Sequence, residues 1–338
     1  MKTETVAATL RRGGRTAAKE RAVELLRKGE VVALPTETVY GLAADALNPI
    51  AVAKIFEAKE RPRFDPLIVH LPEKQWLERL AKIDSCSGAQ IERLIAQLWP
   101  GPLTLVLDRR SIVPEIVTAG LETVAVRMSS HPVFAEIISA FGKPLAAPSA
   151  NRFGRISPTS AQHVFDELSG RIPLIIDAGP AAHGIESTII AVHRNKIDIL
   201  RRGPITAEQL AEFGNVDTVR AANKVAAPGQ FPSHYSPKTP LRLIDNAKSF
   251  PLVKNVRVGL LACSAATAHG EFAAVRTLSE KQDLREAAAN LFRCLRELDE
   301  LGLDLIVAER VPARGLGAAI LDRLERASHD SDIRDMHE

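Results

Sequence analysis

Residues 31–71, VVALPTETVYGLAADALNPIAVAKIFEAKERPRFDPLIVHL, place two short apolar runs on either side of a polar, sharply punctuated turn and a helix-spaced segment. VVAL is continuous and β-branched, the pattern of a strand buried on both faces, and Pro35 ends it by removing a ladder donor. Thr36, Glu37, Thr38 and Tyr40 then occupy a loop at the strand end, where Gly41 allows a sharp bend or a close approach to a ligand. Asn48 and Pro49 read as N-cap and first helical residue, followed by Val52, Ile55 and Phe56 at helical spacing as far as Lys59. Pro62 keeps that helix from continuing, so Lys59, Arg61 and Arg63 gather at its end and in the turn beyond. LIVHL is a second buried strand with His70 in its middle. A chain organised round such a stretch has to stack helices on a sheet.

The flanking sequence carries the same alternation. Residues 1–15 read as an irregular lead-in, and an amphipathic helix from Thr16, with Val23, Leu25 and Leu26 inward, stops at Gly29. Helical spacing recurs over Glu73–Leu80, Ala89–Leu98 and HPVFAEIISAF. Strands are expected over Leu103–Leu107, Thr123–Met128, LIIDAG, STIIAV and KIDILR. Ser157 and Pro158 read as the cap and first residue of another helix. The fold class is therefore α/β (α+β), with a first domain over 1–213. The prolines of APGQFPSHYSPKTP make 214–240 a stiff, extended connector that carries Tyr235. From 241 to 338, LRLID, VRVGLLA and LDLIVAE alternate with helices at Asp283–Leu301 and Leu316–Ser328, the pattern of a small parallel, Rossmann-like α/β domain. Gly315 and Gly317 give G-x-G without the third glycine, which argues against a dinucleotide site.

Composition narrows the function classes. A net charge of +3 over 338 residues, with no run of five like charges, is too mild for a nucleic-acid coat, so any basic surface has to be local. Cys86, Cys263 and Cys294 stand far apart with no C-x-x-C pair, which suits a reducing compartment and builds neither a zinc knuckle nor a disulfide frame. Neither a signal-peptide core nor an apolar run of membrane-spanning length occurs, and the expected location is cytoplasmic, away from the membrane.

Walker, H-E-x-x-H, calcium-loop and G-x-S-x-G motifs are absent. What remains is a set of loop cations and small hydroxyls that follow or end expected strands: Thr36, Thr38, Lys59, Arg61, Arg127, Ser149, Asn151, Arg152, Ser157, Ser187 and Arg201. Such donors suit an anionic ligand, because guanidinium grips carboxylate or phosphate with paired hydrogen bonds. Carboxylates are sparse in that set, which favours electrostatic stabilisation of phosphoryl or adenylyl chemistry over a paired-carboxylate mechanism.

PTETVYGLAADA, the AKERP turn, DPLIVHL, WPGPLT, AVRM with SHP, APSANRFGRISPT and GIESTII together resemble the threonylcarbamoyl-AMP synthase family. The resemblance spans a YrdC-like domain over about 16–212 and continues through HYSPKTP into the C-terminal domain of the longer members. It implies an enzyme, a nucleotidyltransferase with an open cationic cavity, that makes threonylcarbamoyl-adenylate and pyrophosphate from ATP, L-threonine and bicarbonate. The product would serve tRNA threonylcarbamoyl-adenosine modification, with tRNA and a downstream threonylcarbamoyl-transfer complex as partners.

By the same resemblance, Thr38, His70, Arg127 and Ser187 match threonine-binding positions, with Arg127 suited to the carboxylate. Lys59, Arg61, Asp65, Thr123, Ala147, Ser149, Asn151, Ser157, Arg201 and Tyr235 match positions that hold ATP. Lys59 and Arg61 are the expected catalytic cations, and magnesium is expected to accompany ATP. Asp65 stands where the family usually has asparagine, Ala43 where glycine is common, and Arg202 where proline usually follows. Two rival readings are a non-catalytic RNA- or tRNA-binding module and a carbamoyl-transfer role of the kind held by larger relatives with zinc fingers. The lack of interleaved basic and aromatic clusters opposes the first, and the missing cysteine pairs oppose the second.

Overall fold

The computed structural model describes residues 1–8, 12–219, 235–265 and 271–335. The expected connector over 214–240 falls partly outside these residues, including QFPS and His234. Two compact units are present: Met1–Phe153, Pro158–Ala182 and the chain from Glu186 to Val219 form the first. Gly154–Ser157, His183–Ile185 and the described chain from Tyr235 form the second.

The first unit is built on β1 (Glu4–Ala7), β2 (Val32–Leu34), β3 (Gly41–Asp45), β4 (Ile68–His70), β5 (Ala81–Lys82) and β6 (Leu103–Arg109). It continues with β7 (Thr123–Arg127), β8 (Leu145–Ala146), β9 (Leu174–Asp177), β10 (Thr188–His193), β11 (Lys196–Arg201) and β12 (Asn215–Thr218). They join in one mixed sheet in the order β1-β9-β2-β3-β8-β4-β7-β6-β10-β11-β12, with β5 beside β6. Pairing is parallel for β1–β9, β4–β7 and β6–β10 and antiparallel for β2–β3, β6–β7 and β10–β11.

Two helical layers divide the faces of this sheet between them. On one face Val69, Leu105, Val126, Ala146 and Ile190 pack against helices Pro49–Lys59, Gly88–Leu98 and Ala161–Leu168. On the other, helices Arg12–Arg27 and Pro132–Phe141 cover β2, β3, β8 and β9 through Leu26, Phe134, Ile137 and Ile138. Beyond that cover lies a strip over β4, β7, β6 and β10, with a small apolar cluster of Ile68, Ala125 and Ile189 flanked by Val106 and Leu200. Successive strand side chains point to opposite faces, so Thr123, Ala125 and Arg127 share this strip while Val124 and Val126 enter the core behind it.

Several local expectations change. The lead-in contains a strand: Glu4–Ala7 pairs in parallel with Leu174–Asp177. The helix expected to start at Pro158 after a Ser157 cap starts at Ala161, because Ser160, in extended geometry, caps it by accepting from His163 N. GLAAD, left within the polar turn by its small residues, is the buried strand β3, paired with β2 and β8.

The second unit is a parallel sheet of β13 (Leu241–Ile244), β14 (Val258–Ala262), β15 (Ala274–Thr277) and β16 (Leu305–Glu309), ordered β13-β16-β14-β15. Helix Leu284–Asp299 is capped by Asp283, buries Leu291, Phe292, Leu295 and Leu298, and packs on β14 and β15. Gly184 lies so near this helix that a Cβ would stand 2.5 Å from Ala289 Cα, an approach only glycine permits.

Candidate active site

The strip over β4, β7, β6 and β10 carries one polar row, and its side chains are buried. His70 on β4 pairs with Arg127 on β7, Arg127 with Thr104 on β6, Thr104 with Ile189 on β10, and Ile189 with Arg201 on β11. Residues opposite one another across a ladder share a face, so His70, Arg127 and Thr104 rise beside the small floor of Ile68, Ala125 and Ile189.

Loops complete the row. Thr36 folds the 36–39 turn by accepting from Thr38 N at 3.1 Å and Val39 N at 3.2 Å. This brings Thr38 Oγ1 within 3.1 Å of Arg127 Nη1, while Arg127 Nη2 donates to Glu37 Oε1 and Ser129 Oγ donates to Glu37 Oε2. Burial pushes the Glu37 carboxyl up, but the Arg127 charge and the Ser129 hydrogen bond outweigh it and leave the group below the ordinary carboxyl value. Glu37 and Arg127 thus form a buried ion pair. Arg127 Nε and His70 Nδ1 are buried atoms with no hydrogen-bond partner among the described residues. Burial first, and the Arg127 charge second, hold His70 well below the ordinary imidazole range, so its ring is neutral near pH 7. Its ring also packs on Phe134, with centroids 4.7 Å apart.

At the next strands, Ser187 Oγ lies 2.8 Å from Thr104 Oγ1, and Arg201 donates to Ser187 O at 3.0 Å and to its Oγ at 3.1 Å. Gly203 makes this possible: a Cβ there would lie 2.4 Å from Thr188 N and 2.6 Å from Glu186 O.

The cations at the end of helix Pro49–Lys59 are engaged differently from one another. Asn48 caps the helix by accepting from Ile50 N and Ala51 N, and Glu60, at φ 54°, turns the chain out of it. Lys59, fully buried, sends its Nζ to Ser149 O at 2.6 Å and to Asn151 O. Burial, followed by the neighbouring Arg61 charge, draws the Lys59 amine well below its ordinary range. The 147–151 loop is also strapped by the Gly41–Ser149 bridge and by Ala150 N to Tyr40 O at 2.8 Å. Arg61 donates to Pro66 O at 2.8 Å and stands 2.7 Å from Asp65 Oδ2 in a buried ion pair. Burial raises the Asp65 carboxyl above its ordinary value, although Arg61, Lys59 and Arg201 all act to lower it.

Thus Thr38, His70, Arg127, Ser187 and Arg201 meet along one row, and Lys59, Arg61, Asp65, Ser149 and Asn151 interlock around the adjoining loops. Thr123 and Ala147 belong to the same unit, Thr123 at the start of β7 and Ala147 with its N–H on Ile68 O at 3.0 Å. Ser157 and Tyr235 belong to the second unit. There Tyr235 is fully buried at φ 67°, stacks on Phe292 with centroids 5.4 Å apart, and faces the Arg323 guanidinium at 5.5 Å. The expectation of few carboxylates is corrected: Glu37 and Asp65 each hold a site arginine. Glu37, Ser129 and Thr104 were missed by sequence reasoning, and the signal for Glu37 was its place between two loop threonines ahead of a tyrosine and glycine.

The profile of the Sua5/YciO/YrdC family, described as telomere recombination, matches residues 24–203. One described as threonylcarbamoyl-AMP synthase, C-terminal domain, matches residues 205–329. The threonylcarbamoyl-AMP synthase of Pyrococcus abyssi is 38% identical over 330 residues, covering 91% of this chain and 93% of the relative. That of Bacillus subtilis is 40% identical over 326 residues, covering 93% of each. The crystal structure of P. abyssi Sua5 complexed with L-threonine matches with a TM-score of 0.86 at 36% identity, covering 97% of this chain and 98% of that one. With both profiles matched in order, and relatives alike over nearly their whole length, this chain belongs to the threonylcarbamoyl-AMP synthase family.

Proposed function

We infer that this protein is a threonylcarbamoyl-AMP synthase, a nucleotidyltransferase that uses L-threonine, bicarbonate and ATP and releases pyrophosphate. The observation that carries the reading is a pair of buried atoms on neighbouring strands that have no hydrogen-bond partner among the described residues. Arg127 Nε is a donor for a carboxylate, and the neutral His70 ring offers Nδ1 next to it. Thr38 and Ser187 add hydroxyls at the two ends of that row, a set matched to the carboxylate, amine and hydroxyl of a small amino acid. Arg61, Arg201 and Lys59 lie around the adjoining loops, where phosphates would be received.

In the reaction, the threonine nitrogen forms a bond to the bicarbonate carbon, and hydroxide leaves with the displaced proton as water. The resulting carboxylate oxygen attacks the α-phosphorus of ATP, and the bond from that phosphorus to the bridging oxygen breaks to release pyrophosphate. Fixed cations stabilise charge on the departing group, and holding the reactants together supplies much of the rest. Magnesium enters with ATP as part of the substrate. Among the described residues no cluster of three or more His, Cys, Asp and Glu converges on a resident cation. The threonylcarbamoyl-adenylate would pass to a transfer complex that modifies tRNA. An exposed, unpaired Cys86 supports a reducing, cytoplasmic setting, and no described helix is long and apolar enough to cross a membrane.

The test is pyrophosphate release with ATP, threonine and bicarbonate each omitted in turn. Release is expected only with all three. Release without threonine, or none with the full set, would contradict the reading.

A further inference from the structure

Asp65 is fully buried, yet its carboxylate does little to shape the loop that carries it. Arg61 is already held on that loop through Asp65 O at 3.3 Å and Pro66 O at 2.8 Å, both backbone carbonyls. The carboxylate adds an ion pair, with Arg61 Nη2 at 2.7 Å from Oδ2, in which neither Asp65 oxygen takes a well-aligned hydrogen bond among the described residues. Lys59 and Arg201 act on the same charge. A side-chain anion therefore sits against the Arg61 guanidinium, with the charges of Lys59 and Arg201 also acting on it, on the edge that an incoming phosphate oxygen would use.

We propose that Asp65 is an internal counter-anion, which occupies the phosphate position on Arg61 and is displaced by the nucleotide, so that it weakens and thereby sets the affinity for ATP and pyrophosphate. The proposal rests on the reading that this site takes ATP. The carboxylate keeps the cationic loops from repelling one another before substrate arrives, and it competes with pyrophosphate after the reaction, favouring its departure. A role as ligand to the nucleotide's magnesium is opposed by the surrounding positive charges, which repel a further cation.

The experiment is calorimetric titration of ATP, and separately of pyrophosphate, into the full chain and its Asp65→Asn variant, with and without magnesium. Asparagine keeps the size of the side chain and removes its charge. Both ligands are expected to bind about tenfold more tightly to the variant, a change of about 1.4 kcal/mol, in both conditions, while threonine affinity stays unchanged. Asp65→Ala is expected to shift affinity in the same direction and carries the test if the asparagine variant does not fold. Unchanged or weaker binding in the folded variants overturns the proposal, and so does a loss confined to the magnesium titrations, which would make Asp65 a metal ligand. Failure of the wild-type chain to bind ATP at all would overturn the functional reading itself, whereas wild-type binding without a gain in the variants overturns only the role of Asp65.

Discussion

Arg127 is held at both terminal nitrogens, by Thr38 and Glu37, which leaves Nε as the donor open to the carboxylate in the proposed reading. Arg127→Ala is expected to raise the threonine requirement by on the order of 100-fold, with Arg127→Lys little better, because a point charge cannot reproduce the planar fork. Threonine saturation curves check this, and an unchanged threonine KM would contradict it. Glu37 makes a pH-dependent contribution. Its carboxyl is held below the ordinary value of 4.5, so the stabilisation is fully present above that value and is lost as pH falls through the lower folded value. Glu37→Gln is thus expected to destabilise by about 3 kcal/mol at neutral pH, the scale for breaking a buried pair, and by progressively less toward pH 3. Urea unfolding of both proteins across that range reads the difference, and a penalty independent of pH would refute it. In the proposed reading Lys59 combines two roles, since its amine also ties down the 149–151 loop. Lys59→Ala is therefore expected to cost about 1–3 kcal/mol of stability, from the carbonyls left unsatisfied, as well as most pyrophosphate release. Full activity in a folded Lys59→Ala protein would exclude the catalytic role, and an unchanged unfolding free energy the structural one.

Helix Pro49–Lys59 is the element whose cause lies most plainly in its own residues. Asn48 caps it, Pro49 begins it, and Ala51, Val52, Ile55 and Phe56 form its buried stripe. Asn48→Ala is expected to lower stability by about 1 kcal/mol, with pyrophosphate release little changed because packing still holds the helix end. Denaturant titration beside the release assay checks both halves, and a large loss of activity without a stability change would contradict this account. Other elements were less legible for equally local reasons. GLAAD has small side chains that look like helix or turn, and it becomes a strand only because β2 and β8 flank it. Glu4–Ala7 is too short to announce itself and depends on β9 for its partner. At 157–160, two serines could each cap the following helix. The choice fell to Ser160, while Ser157, with the Gly154–Ser157 segment, belongs to the second unit.

Across the whole molecule the net positive charge is modest, and Arg61 and Arg127 of the site are each paired with a carboxylate. Any retention of tRNA is expected to weaken by only about tenfold between about 50 and 200 mM salt, the response of a few phosphate contacts. A salt slope of the size seen for extended phosphate interfaces, measured by filter binding, would contradict this. The order of most strands and helices, the capped helix that ends in Lys59, and the seven motif blocks were determined by the sequence alone, because propensity, capping and alternation act between near neighbours. Only the tertiary structure decided that His70, Arg127, Thr104 and Arg201 stand in one row, that Glu37 pairs with Arg127 and Asp65 with Arg61, and that Tyr235 is buried in the second unit. Those facts depend on ladder register and on contacts between residues as far apart as Glu37 and Arg127, which no short-range pattern encodes.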